Sequence, residues 1–237
     1  MKPATEKKFV PVMITPFCDN LEIDYDALSL LIEFYLSAGV KGLFANCLSS
    51  EMFSITSTER LQLTRFVVKQ VNGRVPVVAT GSFGATINQK AEFIKEIYDT
   101  GISGVILITS HFAMPSDTDI QLLKNIETVL QYTNNIPLGL YECPAPYKRI
   151  LSSTVFEQLI KTGRFIYHKD TCLDMDQIKA KLQQVPPGNM LEFYDAHTPN
   201  AMYSLQSGAT GMSSISGNFY PEVMGWMCNN ANNPDKL

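Results

Sequence analysis

The sequence of 237 residues has no excess of positive charge: 19 Lys and Arg face 23 Asp and Glu, for a formal net charge of -4 at pH 7. Proteins that bind nucleic acid by neutralising phosphates need a basic face, so nucleic acid is not an expected partner. Long apolar runs are also missing, both at the length of a membrane span and, near the N-terminus, at that of a signal peptide. The sequence therefore predicts a soluble, cytoplasmic protein with no membrane partner.

Closely spaced cysteines are absent as well. The five cysteines are odd in number, widely spaced and without a CxxC pair: Cys18, Cys47, Cys143, Cys172 and Cys228. This spacing disfavours a zinc site or a CxxC redox motif and is typical of reduced thiols in a cytosolic protein. We expect no metal site. Although three of the cysteines follow predicted strands, small buried thiols explain them more simply.

The sequence also lacks a glycine-rich nucleotide-binding loop. The apolar run 9–15 is followed by PFCDNLEIDYDA, which contains no GxGxxG, and the segment 81–84 (GSFG) has too few glycines to bind a phosphate. This disfavours an open, dinucleotide-binding sheet. No interdomain linker or low-complexity segment divides the chain, so residues 1–237 are predicted to form a single domain.

Eight β-prone runs are present, with helical patterns between them. Most are continuously apolar, which is typical of parallel strands covered on both faces. The runs are 9–15, 42–46, 75–80, 104–109, 137–141, 165–169, 190–194 and 209–214. The helical patterns are 24–38, 58–71, 86–98, 117–132, 153–161, 174–183, 199–207 and 221–229. This alternation favours a closed (β/α)8 (TIM) barrel of parallel strands, with an open doubly wound sheet as the second choice.

The chemically interesting residues lie where the runs end. Lys169 ends the sixth run, Tyr141 ends the fifth, and the ends of barrel strands are where such folds carry out chemistry. A lysine among apolar side chains has a lowered pKa, because burial disfavours its charged form. Its free amine can attack a ketone and form a Schiff base, while a phenol moves protons. The alternative is a lysine that simply reaches solvent.

Four hydroxyls are candidate substrate-binding groups. Ser49 and Ser50 lie in the turn after the second run, where hydroxyl and N–H groups suit the carboxylate of a 2-oxo acid, although either serine could instead cap a helix. Thr171 is placed at the same rim as Lys169, with helix capping as its alternative role, and Ser214 ends the eighth run. His168 alternates with Lys169 and is expected to point away from the barrel interior.

These motifs resemble the dihydrodipicolinate synthase and N-acetylneuraminate lyase family. The most specific pair is LYECP followed by HKD, and VPVMITPF, LSSEMFSIT, VATG and GATGMSSISGN occur in the family's order. The resemblance implies a class I aldolase on a TIM barrel, with Lys169 as the Schiff-base lysine and Tyr141 as the proton-relay tyrosine. It implies no metal or organic cofactor and a homo-oligomer, either a dimer or a tetramer. It also implies a C-terminal helical extension that is missing or truncated here.

The sequence departs from the family pattern at four informative positions. Leu48 replaces a hydroxyl that links the tyrosine to its relay, and Phe112 lies in the place of an interface tyrosine. Pro146 stands where the synthases carry an arginine for the second substrate, and Ala196 lacks the carboxylate expected of a sialic acid lyase. Neither dihydrodipicolinate synthesis nor sialic acid cleavage is therefore expected.

Three functions stay open from the sequence. The first is a Schiff-base lyase or aldolase that makes or cleaves a carbon–carbon bond between pyruvate, or a related 2-oxo acid, and an aldehyde or sugar-acid partner. The second is a dehydratase or decarboxylase of 2-oxo sugar acids that uses the same lysine, since an imine permits several bond cleavages. The third is a catalytically degenerate paralogue that binds oxo acids or a protein partner.

Overall fold

The chain folds into a closed barrel of eight parallel strands. The computed structural model describes residues 6–233. Its strands are β1 Lys8–Phe9, β2 Leu43–Phe44, β3 Val77–Thr80, β4 Gly104–Ile108, β5 Leu138–Tyr141, β6 Phe165–Asp170, β7 Glu192–Asp195 and β8 Gly211–Met212. They form one sheet in the order β1-β8-β7-β6-β5-β4-β3-β2. A parallel bridge between Val12 and Phe44 joins the segment after β1 to β2, so the predicted barrel is confirmed.

Within the described residues, eight α-helices cover the outside of the barrel. They are α1 Tyr25–Ser37, α2 Ser57–Val71, α3 Ile87–Tyr98, α4 Asp119–Tyr132, α5 Ser153–Ile160, α6 Met175–Leu182, α7 Ala201–Gln206 and α8 Pro221–Asn230. Every bound lies within two residues of its sequence prediction, largely because side chains mark the starts. Thr56 forms a capping box with Glu59, and Thr86 forms one with Gln89. No helix within residues 6–233 is long and apolar enough to cross a bilayer.

The first strand is much shorter than the predicted run 9–15. Pro11 has no N–H to donate, so regular pairing stops after Phe9. The ladder resumes where the amide of Phe44 donates to the Pro11 carbonyl at 3.1 Å and the amide of Met13 donates to the Phe44 carbonyl at 3.0 Å. The barrel closes through these bonds. On its other side, a Cβ at Gly211 would lie 1.9 Å from the Lys8 carbonyl oxygen, so only glycine permits that approach of β8 to β1.

Alternation along β6 separates two buried environments. Tyr167 faces the barrel interior, where its ring stacks on that of Tyr194 at a centroid distance of 4.6 Å. His168 lies on the outer face, with its ring 4.8 Å from that of Phe156 in α5 and 4.9 Å from that of Phe193 in β7. The prediction that His168 points out of the barrel is thus confirmed. Lys169, by the same alternation, faces inward.

A fully buried charge cluster on the outer face connects α6 to the ends of β5 and β6. The ammonium of Lys181 lies 2.5 Å from Oε1 of Glu142 and 2.6 Å from Oδ2 of Asp170. Burial on its own would raise the pKa of Asp170, but His168 and Lys181 hold that pKa well below its usual range. Burial likewise opposes the charge of Lys181, yet the two carboxylates outweigh it and raise the lysine's pKa. The cluster thereby fixes the residues that follow Tyr141 and Lys169.

Removal of the buried ammonium is expected to destabilise the fold. Lys181→Met leaves two carboxylates buried without their cation, so the free energy of unfolding should fall by about 3–5 kcal/mol. Urea denaturation at neutral pH measures this loss in the free energy of unfolding. The control is Lys161→Met, which breaks the exposed 2.7 Å pair between Lys161 and Glu157 and should cost less than about 1 kcal/mol. Equal losses in the two variants would contradict the prediction.

Candidate active site

Lys169 lies inside the barrel next to Tyr141. The two residues are register partners on adjacent strands, and Nζ of Lys169 is 4.5 Å from the centre of the Tyr141 ring and 5.8 Å from that of Phe44. Only 4% of the lysine is exposed, and no carboxylate within residues 6–233 forms an ion pair with it. Burial lowers the pKa of Lys169 from 10.5 to about 8. About a tenth of this amine is therefore uncharged at pH 7, and about half at pH 8.

Tyr141 remains a protonated phenol. It is 3% exposed, and burial, helped by the neighbouring thiols of Cys143 and Cys47, raises its pKa far above the ordinary value. A phenol of this kind can donate a proton to a developing alkoxide, but it releases that proton only if the charge left behind is neutralised. The buried side chain of Cys143 belongs to the same apolar cluster as this phenol.

Two thiols lie beside the lysine, and the sequence interpretation gave them no part in the site. Cys47 and Cys143 are both fully buried and pack in one cluster with Phe44, Tyr141 and Tyr167. Burial raises the pKa of each thiol, while the charge of Lys169 acts in the opposite direction. One sequence signal could have placed Cys143 there: it follows Tyr141 by two residues, the spacing that keeps side chains on one face of a strand.

Two of the predicted substrate-binding hydroxyls already donate hydrogen bonds to the backbone. Ser50 Oγ donates to the Met13 carbonyl at 2.7 Å and accepts from the Cys47 amide at 3.1 Å. Thr171 Oγ1 donates to the Glu142 carbonyl at 2.5 Å. These bonds hold the turn after β2 and the end of β6 in place. Because both donor hydrogens are engaged, we leave Ser50 and Thr171 out of the substrate site.

The other two predicted hydroxyls are better placed to receive a ligand. Ser49 is half-buried in the 3₁₀ turn Leu48–Ser50. Ser214 precedes the 3₁₀ turn Ile215–Asn218, and its buried Oγ has no hydrogen-bond partner within residues 6–233. Sequence reasoning missed two similar groups, Asn46 Oδ1 and Thr80 Oγ1, which are also buried without a partner at the ends of β2 and β3. Buried polar atoms are normally paired, so these atoms are suited to contact a ligand or water.

A group of possible metal ligands lies behind the site, on the outer face of the barrel. One ligand atom each from Glu142, His168 and Asp170 falls within 4.8 Å of the others. The ammonium of Lys181, in contact with both carboxylates, occupies the position that a cation would take. The group is therefore a structural ion cluster and supplies no chemistry to Lys169.

Comparison with known proteins identifies relatives along the whole described barrel. The model of the dihydrodipicolinate synthetase family matches residues 5–236. The 4-hydroxy-tetrahydrodipicolinate synthase of Oceanobacillus iheyensis is 27% identical over 209 residues, which are 88% of this chain and 69% of that protein. The enzyme of the same name from Staphylococcus haemolyticus is 27% identical over 216 residues, covering 89% of this chain and 69% of the relative.

Solved structures share the fold at lower identity. A dihydrodipicolinate synthase from Acinetobacter baumannii, crystallised with pyruvate, superposes with a TM-score of 0.86 at 21% identity and covers 98% of this chain and 78% of its own. The Bacillus anthracis dihydrodipicolinate synthase gives a TM-score of 0.87 at 19% identity, over 98% and 77% of the two chains. Because the family match extends from residue 5 to residue 236, this chain belongs to the dihydrodipicolinate synthetase family, as its strand-end motifs predict.

Proposed function

We propose that this chain is a class I lyase or aldolase in which Lys169 forms a Schiff base with pyruvate or a related 2-oxo acid. The observation that carries the proposal is a buried amine with a pKa of about 8, beside a phenol and without an ion-pair partner in the described chain. The resulting imine withdraws electrons from the neighbouring carbon, so that a carbon–carbon bond to an aldehyde can form or break there. Family membership supports this chemistry.

Tyr141 is proposed to be the group that moves protons. Its ring lies 4.5 Å from the Lys169 nitrogen, so its hydroxyl can reach the oxygen of a carbonyl under attack. That oxygen gains one proton when the amine adds, and it gains a second proton and leaves as water when the imine forms. A phenol kept protonated by burial is suited to both steps.

For the 2-oxo acid, we propose that its carboxylate binds at the turn that carries Ser49, with the unpartnered hydroxyl of Ser214 nearby in the same rim. Ser49 brings both a hydroxyl and a backbone N–H, the two kinds of donor that a carboxylate accepts. Substitution of either serine by alanine, followed by measurement of the pyruvate concentration that gives half-maximal imine formation, tests this assignment; unchanged values would exclude both residues.

The aldehyde partner is proposed to differ from that of the synthases. Pro146 offers no charge, and the nearby Arg149 is engaged, with NH2 2.8 Å from Oδ1 of Asp119 and NH1 2.9 Å from the Asp117 carbonyl. The Arg149 guanidinium is thus not free to bind a second carboxylate. Product analysis by NMR, with sugar acids as substrates, would separate aldol cleavage from dehydration or decarboxylation.

Homo-oligomeric assembly and a cytoplasmic location stay predictions. Sedimentation velocity tests the predicted assembly.

Reductive trapping tests the Schiff base directly. With saturating pyruvate and borohydride, we expect a pyruvyl-derived mass on the peptide that contains Lys169, detected by mass spectrometry. Lys169→Met should abolish the adduct, because no amine remains at the site. Lys161→Met, which changes an exposed lysine, should leave it intact. An unmodified Lys169 in the wild-type protein would refute the proposal.

The trapping rate should depend on pH through the lysine. Only the neutral amine attacks, and burial lowers the pKa of Lys169 from 10.5 to about 8. The initial rate should therefore rise about tenfold per pH unit below pH 8 and level off above it. Rates measured from pH 6 to 10 with cyanoborohydride check this. A rate that keeps rising to pH 10 would show that the amine is not desolvated.

Tyr141→Phe removes the phenol hydroxyl and preserves the ring that packs on Phe44 at 5.8 Å. Exchange of the pyruvate methyl protons with D2O should slow by about 10²–10⁴, because it requires proton transfer at the carbon next to the imine. Proton NMR measures the exchange without knowledge of the aldehyde. Exchange at the wild-type rate would remove Tyr141 from the mechanism.

A further inference from the structure

A cavity opens at the end of the barrel opposite to Lys169. It has a volume of about 230 Å³ and is lined where the strands begin, since Lys8 and Glu192 are the first residues of β1 and β7. The interior of a TIM barrel is normally filled by layers of side chains. At the inward position two residues before Phe44, however, the chain has Gly42, which lines the cavity and brings no side chain into this layer.

Aromatic rings separate this cavity from the active site. Tyr167 and Tyr194, whose rings stack at a centroid distance of 4.6 Å, both line the cavity. Toward the active site, the Tyr167 ring meets that of Phe44 at 6.0 Å, and the Phe44 ring lies 5.8 Å from Nζ of Lys169. A molecule in the cavity would contact the tyrosine rings, while the amine lies beyond them. The cavity is therefore distinct from the active site.

The size and the walls of the cavity favour a small apolar molecule. Besides the two tyrosine rings, the aliphatic side chains of Val10, Val78 and Ile166 line it, and all of them belong to the apolar cluster of the barrel interior or pack on it. An apolar cavity of about 150 Å³ is already large enough for benzene, so this cavity accommodates one substituted ring. Met190 lies exposed at the rim, and its flexible thioether chain can adapt to what enters.

The charges at the mouth of the cavity favour an anionic head group. Glu192 already has two partners in the lining, because Lys8 donates to its Oε1 and the Tyr194 hydroxyl donates to its Oε2 at 2.6 Å. Lys41 also lines the cavity, and its ammonium pairs at 2.8 Å with Glu6, which lies outside the lining. Both side chains of that pair are exposed, so the pair is weak. A ligand carboxylate can therefore replace Glu6.

We propose that this cavity is a second small-molecule site, which binds a small apolar carboxylate with its apolar part against Tyr167 and its carboxylate on Lys41. The lining carries two ammonium groups and one carboxylate, so its net charge favours an anion over a neutral molecule or a cation. The site goes beyond the proposed function and needs no Schiff base, so neither proposal depends on the other.

Benzoate, benzamide and benzylamine are suitable probes, because they share one ring and differ in charge. NMR of protein with isotope-labelled Ile and Met methyl groups reports where each probe binds. With benzoate we expect saturable shifts at Ile166 and Met190, which line the cavity, and none at Met52, in the turn after β2. Benzamide should bind more weakly, and benzylamine more weakly still.

Lys41→Met tests the head group. The variant should weaken benzoate about fivefold, as expected for loss of an exposed ion pair, and should leave benzamide within about twofold of the wild-type affinity. The matched control is Lys161→Met, which changes another exposed lysine with a carboxylate partner, at 2.7 Å. It should bind benzoate as the wild type does. Equal losses of benzoate and benzamide in Lys41→Met, or a wild-type protein that binds benzamide as tightly as benzoate, would overturn the proposal.

Two further variants test the cavity itself. Val78→Phe fills it, and Ser103→Phe narrows its mouth; each should weaken both benzoate and benzamide about tenfold or more, a loss of about 1.4 kcal/mol. Ser103 is exposed, so its variant decides the test if Val78→Phe does not fold. Lys169→Met, which removes the amine of the proposed reaction, should keep the benzoate affinity within about twofold.

The site is refuted if about 20 mM benzoate shifts neither Ile166 nor Met190, which excludes a Kd below about 1 mM. Shifts confined to Met52, or wild-type affinity in Ser103→Phe and in a folded Val78→Phe, would refute it equally. Failure of pyruvate to trap Lys169 would instead overturn the proposed function and leave this second site standing.

Discussion

The proposed chemistry depends on the burial of one amine that forms no ion pair with any carboxylate within residues 6–233. Lys169 is 4% exposed, and its pKa falls from 10.5 to about 8, which corresponds to about 3 kcal/mol against the charged form. Below pH 8 the folded state bears that whole cost, and the cost disappears as the pH rises through 10.5, where the unfolded chain also loses its proton. The barrel keeps the lysine buried despite this cost, and the burial provides a nucleophilic amine near neutral pH.

The next residue, Asp170, is also buried, but its charge is compensated by an ion pair. Asp170 points out of the barrel toward Lys181, and the two form, with Glu142, a cluster in which every charge has a partner within 2.6 Å. The two buried lysines differ because Lys169 faces the interior of the barrel, whereas the next residue of β6, Asp170, faces outward and pairs with Lys181 of α6. Lys181 keeps its charge and stabilises the ends of β5 and β6, whereas Lys169, with a pKa of about 8, provides a neutral and reactive fraction near neutral pH. The ion cluster on the outer face thereby fixes the backbone at the ends of β5 and β6. The same backbone carries Tyr141 and Lys169 on the inner face.

Much of this arrangement could be predicted from the sequence because it follows from local rules. Apolar runs, helix caps and the position of Lys169 at a strand end indicated the barrel, the helix bounds and the lysine. The charge cluster could not be predicted, because Lys181 reaches Asp170 only after α6 packs on the barrel. Ser50 could not be excluded in advance either, since its bonds to Met13 depend on how the turn after β2 meets the segment after β1. Such contacts join segments that are distant in sequence.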